Sequence, residues 1–446
     1  MSKFVDRPRY ACALGGAVGT LRAIPRAIPI IHASAGCGGN ITNALNAGAG
    51  YIGGGYCGGA ALPSSNVSER DVVFGGEERL REQIQSTLEI VDGDLYVVLT
   101  GCMVDMIGDD VISVAQEFRE AEKPVIAVPT PSFRGNAFTG YELLVKALID
   151  RYVQKSVEKD PRSVNILGIV PAQDVFWKGN LRELKRILEK LGIRANTFFG
   201  EGESLENFKD AGRASLNVVV SNSFGVDSAQ HFEEVHGIPY IVTPFPIGAL
   251  AGEVFLKTVG NTLHIDPGHI ARVIAEEKRV YYDYLERIAD IYNDADLQRY
   301  AVVVGDSSYA PALTRFLSDE LGWLPELAVV TDFLDDQQRA TVSAQFAGLN
   351  SGLRPAIRFD TDASSVKKHL RDIWPQNRNN RYYDAFSPAV VIGSSFERDI
   401  AQEFGFPLVP VTYPLTGRCV MGRSYAGFSG GLSLTEDIIT YLVAGR

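Results

Sequence analysis

The residues best suited to chemistry are cysteines near the start of the chain. Cys12 sits in Tyr10-Ala11-Cys12-Ala13-Leu14-Gly15-Gly16-Ala17, Cys37 lies 25 residues on in His32-Ala33-Ser34-Ala35-Gly36-Cys37-Gly38-Gly39, and Cys102 lies 65 further, in Thr100-Gly101-Cys102-Met103-Val104-Asp105. None of these spacings is C-x-x-C, which argues against a zinc ribbon or a thioredoxin-type redox pair. Three thiolates carried on loops, beside glycines that let the backbone approach closely, suit an iron–sulfur centre. Three is an incomplete set, so the remaining ligands would come from a partner chain. Free cysteines are also common as small buried hydrophobes, and the residues alone leave ligation and packing both open.

Composition sets the context. The five cysteines are odd in number and too few for a disulfide framework, and no export signal precedes them, so a reducing cytoplasm is expected. Of 44 glycines in 446 residues, ten fall between Gly36 and Gly59, which marks a stretch of close backbone approach. Lys+Arg 43 against Asp+Glu 54 gives a net charge of −11 with no basic stripe, so nucleic acid is not an expected partner. No apolar run approaches the ~18 residues needed to cross a bilayer, and no membrane association is expected.

The elements that must position these thiols are short apolar runs alternating with helical patterns. Expected strands are Leu95–Leu99, Val125–Val128, Ile166–Val170, Val218–Val220, Tyr240–Val242, Ala301–Val304, Leu327–Val330, Ala389–Ile392 and Leu408–Val411. Several are continuous rather than alternating, as for parallel strands covered on both faces. Helical patterns such as Arg79–Ile90, Val111–Ala121, Tyr141–Val153 and Leu181–Leu191 lie between them. The fold class is therefore α/β, with three Rossmann-like, doubly wound parallel-sheet domains. The charged stretch Glu158-Lys159-Asp160-Pro161-Arg162 reads as a linker, and a long helical stretch from Pro267 to Asn293 precedes a fresh strand at Ala301. The domains are thus expected at 1–157 (carrying the cysteines), 158–296 and 297–446. Ligands in such sheets sit beyond the carboxyl ends of strands. Cys102 follows the Leu95–Leu99 strand in this way, and Thr130-Pro131-Ser132 follows Val125–Val128.

At these residues the sequence resembles the nitrogenase component-1 superfamily, and more its β-type than its α-type subunit. The Cys12 segment, the His-x-Ser-x-Gly-Cys segment ending at Cys37, the stretch from Ser65 through Val73-Phe74-Gly75-Gly76 and the stretch Cys102 to Asp110 match in order. So do Thr130-Pro131-Ser132-Phe133, Thr139-Gly140-Tyr141 and the closing Arg423-Ser424-Tyr425-Ala426-Gly427-Phe428, so the likeness spans essentially the whole chain. The resemblance implies an α2β2 assembly in which each chain supplies three cysteines to an iron–sulfur cluster of the P-cluster type at the αβ interface. It puts Cys12, Cys37 and Cys102 in those roles, with Ser132 matching a serine that can bind the oxidised cluster. Amides of Gly36, Gly38, Gly39 and Gly101 could donate hydrogen bonds to cluster sulfur. An ATP-hydrolysing iron–sulfur protein would dock transiently and deliver electrons, and this chain shows no G-x-x-x-x-G-K-[ST] loop of its own.

In the α-type subunit a cysteine of the second domain and a histidine near the C-terminus hold the catalytic cofactor. Here the corresponding Ala214–Ser223 stretch has no cysteine, and the last histidine, His369, falls well before the terminal motif. The resemblance therefore implies a β-type chain that bears no catalytic residue of its own. N2-reducing β subunits carry an aromatic and basic stretch after the Cys37 glycines and a long N-terminal extension. This chain has Asn40-Ile41-Thr42-Asn43-Ala44-Leu45-Asn46-Ala47-Gly48 and begins almost at Cys12. Both features suggest a nitrogenase-like reductase, best matched by methylthio-alkane reductase, which cleaves C–S bonds of small thioethers. The alternatives are the β subunit of a true nitrogenase, a cofactor-assembly scaffold of the same superfamily, and an α/β ligand-binding protein whose cysteines are incidental.

Bland readings compete at other residues. Cys57 is either an extra ligand or a loop cysteine without a role, and Cys419 reads as structural. His32 is expected to fix its loop by hydrogen bonding rather than bind metal. Asp109-Asp110 is expected to cap a helix rather than act as an acid/base pair, and Gly75-Gly76-Glu77-Glu78 to start one. The aromatic-polar loop Gln173–Asn180 faces a partner or cofactor, or simply packs. Arg418 and Arg423 are weighed as partners for acidic groups across a subunit interface.

Overall fold

The computed structural model describes residues 5–50, 62–294, 297, 299–373 and 389–444; Cys57 lies outside the described residues. Among the described residues twelve strands form three sheets, and every strand pairing within them is parallel. The first sheet holds β1 (Ala27–His32), β2 (Leu95–Thr100) and β3 (Val125–Val128), in that order. The second holds β4 (Asp160–Leu167), β5 (Arg194–Asn196), β6 (Ala214–Val219) and β7 (Tyr240–Val242), ordered β5-β4-β6-β7. The third comprises β8 (Tyr300–Gly305), β9 (Leu324–Val330), β10 (Ala356–Phe359), β11 (Ala389–Gly393) and β12 (Leu408–Pro410), ordered β10-β9-β8-β11-β12. Every residue of β2 and of β11 is buried, as the unbroken apolar runs require.

One apolar cluster runs from Leu14 through Tyr141, Leu184, Phe255 and Val303 to Leu442, joining the three sheet units into a continuous core. The stretch Asp160-Pro161-Arg162 is not a linker: it opens β4, whose pairing with β6 shifts register between Asp160 and Val164. The expected 267–293 helix is one long helix, Pro267–Leu285, followed by a single 3-10 turn and a short helix, Ala289–Asp294. Among the described residues no helix is long and apolar enough to cross a membrane.

The carboxyl ends of the second and third sheets face each other. After β6, Asn222 donates to the Ser307 carbonyl at 3.0 Å, and Ser308 donates to Ser221 at 3.0 Å. These contacts close the junction. The space left beside Asp174, Phe224 and Tyr309 holds about 10 Å³, the lower limit for a single water. The Gln173–Asn180 loop packs here. Phe176 lies 4.1 Å from Tyr425 between ring centroids, and the Asn180 side-chain oxygen accepts from the Tyr425 amide at 2.8 Å and the Ala426 amide at 2.9 Å.

A buried carboxylate links the first two units. Glu142, in helix Ala137–Tyr152, accepts from the Gly225 amide and, at 3.0 Å, from the Ser228 amide, at the start of helix Val226–His236. Burial pushes Glu142 from 4.5 up to about 7, against the pull of these donors and nearby Lys146. The folded chain then holds this proton where the unfolded chain has lost it, so the contribution present below about 4.5 fades as pH rises through about 7. The Glu142→Gln variant does not titrate. The unfolding free energy of wild type relative to this variant is therefore expected to fall between pH 5 and 7, by up to ~1.4 kcal/mol per pH unit, and the thermal midpoint to fall with it. A difference that stays flat over that range, followed by calorimetry at constant ionic strength, would contradict the assignment.

Candidate iron–sulfur site at the first sheet

The thiols are carried on helices rather than loops. Cys12 is the N-cap of helix Ala13–Leu21, Cys37 lies in the first turn of helix Ala35–Gly48, and Cys102 opens helix Cys102–Ile107. Ser132 opens the 3-10 turn Ser132–Arg134 after β3. The sequence hides the first two helices because glycine, at roughly 1 kcal/mol per residue against Ala, reads as a helix breaker. Here small residues serve packing. A Cβ on Gly16 would collide with the Ala137 carbonyl, and one on Gly140 with the Ala13 carbonyl, so helices Ala13–Leu21 and Ala137–Tyr152 cross with their backbones in contact. That crossing lays Cys12 against the turn following Ser132: Cys12 bridges Asn136, and the Ala13 amide donates to the Gly135 carbonyl at 3.1 Å.

The other donors join the same patch. The Cys102 sulfur lies 2.7 Å from the Ser132 hydroxyl and accepts from the Ser132 amide at 3.2 Å. A Cβ on Gly101 would stand 2.6 Å from the Ala33 Cβ and 3.8 Å from the Cys37 sulfur, so this glycine brings the end of β2 up against the Cys37 turn. Cys12, Cys37 and Cys102 are free and partly exposed, and Ser132 is exposed. Among the described residues no three His, Cys, Asp or Glu side chains close on a single metal ion. The sulfurs instead lie at three helix starts, where the positive ends of helix dipoles favour negative charge.

Of the expected amide donors, Gly36 lies at the helix start, where amides lack an intrahelical acceptor, while Gly38 and Gly39 fall within the helix ladder. The Gly101 amide is used internally, donating to the His32 carbonyl at 2.9 Å. Gly101 therefore acts through the side chain it lacks.

His32 does fix its loop. It is fully buried, with Nδ1 2.8 Å from the Ser65 hydroxyl and Nε2 3.1 Å from Asp109. Burial holds His32 below its ordinary value, opposed by Asp109. Asp109 also accepts from the Gly76 amide at 2.9 Å. Asp109 is thus a tie between turns and not a cap, whereas Asp110 caps helix Val111–Glu120 through the Ser113 amide at 3.0 Å. Gly76 is the N-cap of helix Glu77–Ile90, in line with its sequence.

Large apolar side chains stand exposed around the thiols. Val73, Phe74, Met106 and Phe133 are 73%, 82%, 79% and 65% exposed, and the short helix Glu69–Phe74 packs on the helix that Cys102 opens. In the sequence Phe74 and Phe133 stand out only as parts of motifs. Two other expectations are corrected. Cys419 is exposed rather than packed, and Arg418 and Arg423 pair within the chain, both with Asp437, at 2.6 and 2.8 Å.

The family described as "Nitrogenase component 1 type Oxidoreductase" matches residues 12–442, almost the whole chain from the first of these thiols onward. The chain belongs to that family. As a component 1 type oxidoreductase it is 23% identical to the nitrogenase molybdenum-iron protein beta chain of Methanococcus maripaludis, over 97% of this chain and 93% of the relative. It is 24% identical to the vanadium-iron protein beta chain of Trichormus variabilis (99% and 94% covered) and 23% to the iron-iron protein beta chain of Rhodobacter capsulatus (86% and 83%). The solved structure "Nitrogenase Cp1 at pH 6.5" shares the fold, with a TM-score of 0.79 at 21% identity, covering 100% of this chain and 94% of that one. In this component 1 type chain the segment Ala214–Ser223, which contains β6, ends in the serine-asparagine contacts that close the junction between the second and third sheets.

Proposed function

We propose that this chain is the β-type subunit of a cytoplasmic, α2β2 nitrogenase-like reductase, and that Cys12, Cys37 and Cys102, with Ser132 beside them, are its share of a P-cluster-type iron–sulfur centre completed by the α-type subunit. The observation that carries this reading is a chain of contacts that joins the three thiol-bearing segments through Ser132 and Gly101. Cys12 meets the turn after Ser132, Ser132 meets Cys102, and Gly101 meets Cys37. Thiolates on three separate segments suit a polynuclear centre better than a single ion. The exposed Val73, Phe74, Met106 and Phe133 form the kind of apolar border that a partner subunit covers. Held by Cys12, Cys37 and Cys102, such a cluster would supply one-electron redox chemistry between a docked ATP-hydrolysing iron–sulfur protein and the cofactor of the α-type subunit. The chain's own part is to hold the sulfurs, place helix starts behind them, and keep His32 and Asp109 tied beneath.

Within the family the favoured reaction is cleavage of the C–S bond of small thioethers, as in methylthio-alkane reductase. Two features support it: the Asn40–Gly48 stretch replaces the aromatic and basic segment of N2-reducing β subunits, and the chain is about equally distant from molybdenum, vanadium and iron-only beta chains. The test is anaerobic purification with the α-type partner, iron analysis, and assay with the ATPase partner and reductant on a thioether, N2 and acetylene. A brown hetero-oligomer releasing hydrocarbon and thiol from the thioether is expected. Reduction of N2 would make it a true nitrogenase subunit, iron without turnover an assembly scaffold, and a colourless monomer would overturn the reading altogether.

A further inference from the structure

Residues 5–10, ahead of Cys12, lie chiefly against a sheet unit other than the one Cys12 serves. Their backbone and side chains are fastened to the third. The amides of Asp6 and Arg7 donate to the Asp362 carboxylate at 2.9 and 3.1 Å, and the Ala363 amide donates back to the Arg7 carbonyl at 3.0 Å. Arg9 is buried: its guanidinium donates to Glu397 at 2.6 and 3.3 Å and to the Ser394 hydroxyl at 2.6 Å. The side chains of this ion pair are 1% and 0% exposed, so each charge depends on the other. Arg7 lies 4.3 Å over the Phe396 ring. Tyr10 completes the fastening: its hydroxyl lies 2.8 Å from Thr331, and its ring stacks 5.8 Å from Tyr413 of the third unit and meets Phe138 of the first edge-on at 4.9 Å. Two residues later the chain reaches Cys12.

We propose that residues 5–10 are a strap through which the third sheet unit positions Cys12, with Arg9 as the positioning residue and Glu397 as its anchor. Cys37 and Cys102 need no such help. Each is carried on a turn directly after a strand of the first sheet, between backbone contacts of that sheet. Cys12 precedes the first strand and is held from below by its own helix and from outside by the strap. Opening the strap would thus reach Cys12 and leave Cys37 and Cys102 in place, since the Cys37 helix has its own tie to the third unit, the Leu415 amide donating to the Gly48 carbonyl at 2.7 Å. The importance of this for a cluster rests on the reading of Cys12 as a ligand; the mechanical claim does not.

The test separates the two. On the full-length chain stripped of iron by anaerobic chelation, alkylation of each cysteine by iodoacetamide is followed by peptide mass spectrometry. In Arg9→Met, Cys12 should react about tenfold faster than in wild type while Cys37 and Cys102 keep their rates, because only the strap has opened. Arg9→Met leaves Glu397 buried without its partner, so the double variant Arg9→Met/Glu397→Gln, which removes both charges, is measured alongside and should show the same selective gain. Equal rates at Cys12 in wild type and in the folded double variant would overturn the strap, and so would a gain shared by all three cysteines. Iron content of the assembled complex is the second readout. Loss of iron in the Arg9 variants supports coupling to the cluster. Full iron in Cys12→Ala would remove the ligand role while leaving the selective alkylation result to stand for the strap.

Discussion

Cys37→Ala and Cys102→Ala are each expected to strip most of the iron from the assembled complex and to lower turnover by more than about a hundredfold, since even outer-shell partners of metal ligands cost 10–100-fold when removed. The reason is positional. Cys37 and Cys102 sit on either side of Gly101, whose bare Cα lets Ala33, on the segment leading to Cys37, pack against the end of β2. No other thiol among the described residues can take either place: Cys12 belongs to a different helix, and Cys419 is exposed on the segment after β12. Ser132→Ala should be much milder, within about tenfold, because its hydroxyl sits beside the Cys102 sulfur and contributes a hydrogen bond rather than a soft ligand. Cys419→Ala is the internal control and should keep full iron and activity. Iron analysis and the visible spectrum of anaerobically purified complex check all four. Full iron and turnover in both Cys37→Ala and Cys102→Ala would end the cluster assignment.

The residues behind this contrast are legible in the amino-acid sequence. The Leu95–Leu99 run identifies β2, and the rule that ligands gather beyond strand ends points to Cys102 and Ser132. What stays hidden is mostly glycine- or proline-marked. β1 carries Pro29 in its middle, which a paired central strand rejects; it is tolerated because β1 is the first strand of its sheet's order, its far side bridged among the described residues at Ile31 to Ser64. β5 and β10 are short edge strands with charged or polar residues, too brief to stand out as apolar runs. Asp160-Pro161-Arg162 resembles a linker because of its charges, yet the backbone there has already begun β4. Arg9 carries no signal at all: its partner Glu397 is 388 residues away, and no local pattern marks a buried ion pair.

The glycines of the first helix crossing give the second large effect. Gly140→Val should prevent the crossing that seats Cys12, because the added Cβ meets the Ala13 carbonyl and the Ala17 amide, backbone groups that no side-chain rotation can move aside. Gly16→Val offends in the same way against Ala137. Overpacking of this kind costs about 1–3 kcal/mol where neighbours can yield, and here the helices must separate bodily. Each variant is therefore expected to lower the thermal midpoint by several degrees and, by moving Cys12 away from the Ser132 turn, to lose cluster iron even in the fraction that stays folded. Gly36→Ala is the matching comparison. A Cβ there meets nothing within 4 Å, so stability should hardly change. Calorimetry with iron analysis on the same preparations separates the two roles that glycine plays in this segment. If Gly140→Val were as stable as wild type and kept its iron, the close crossing could not be what places Cys12.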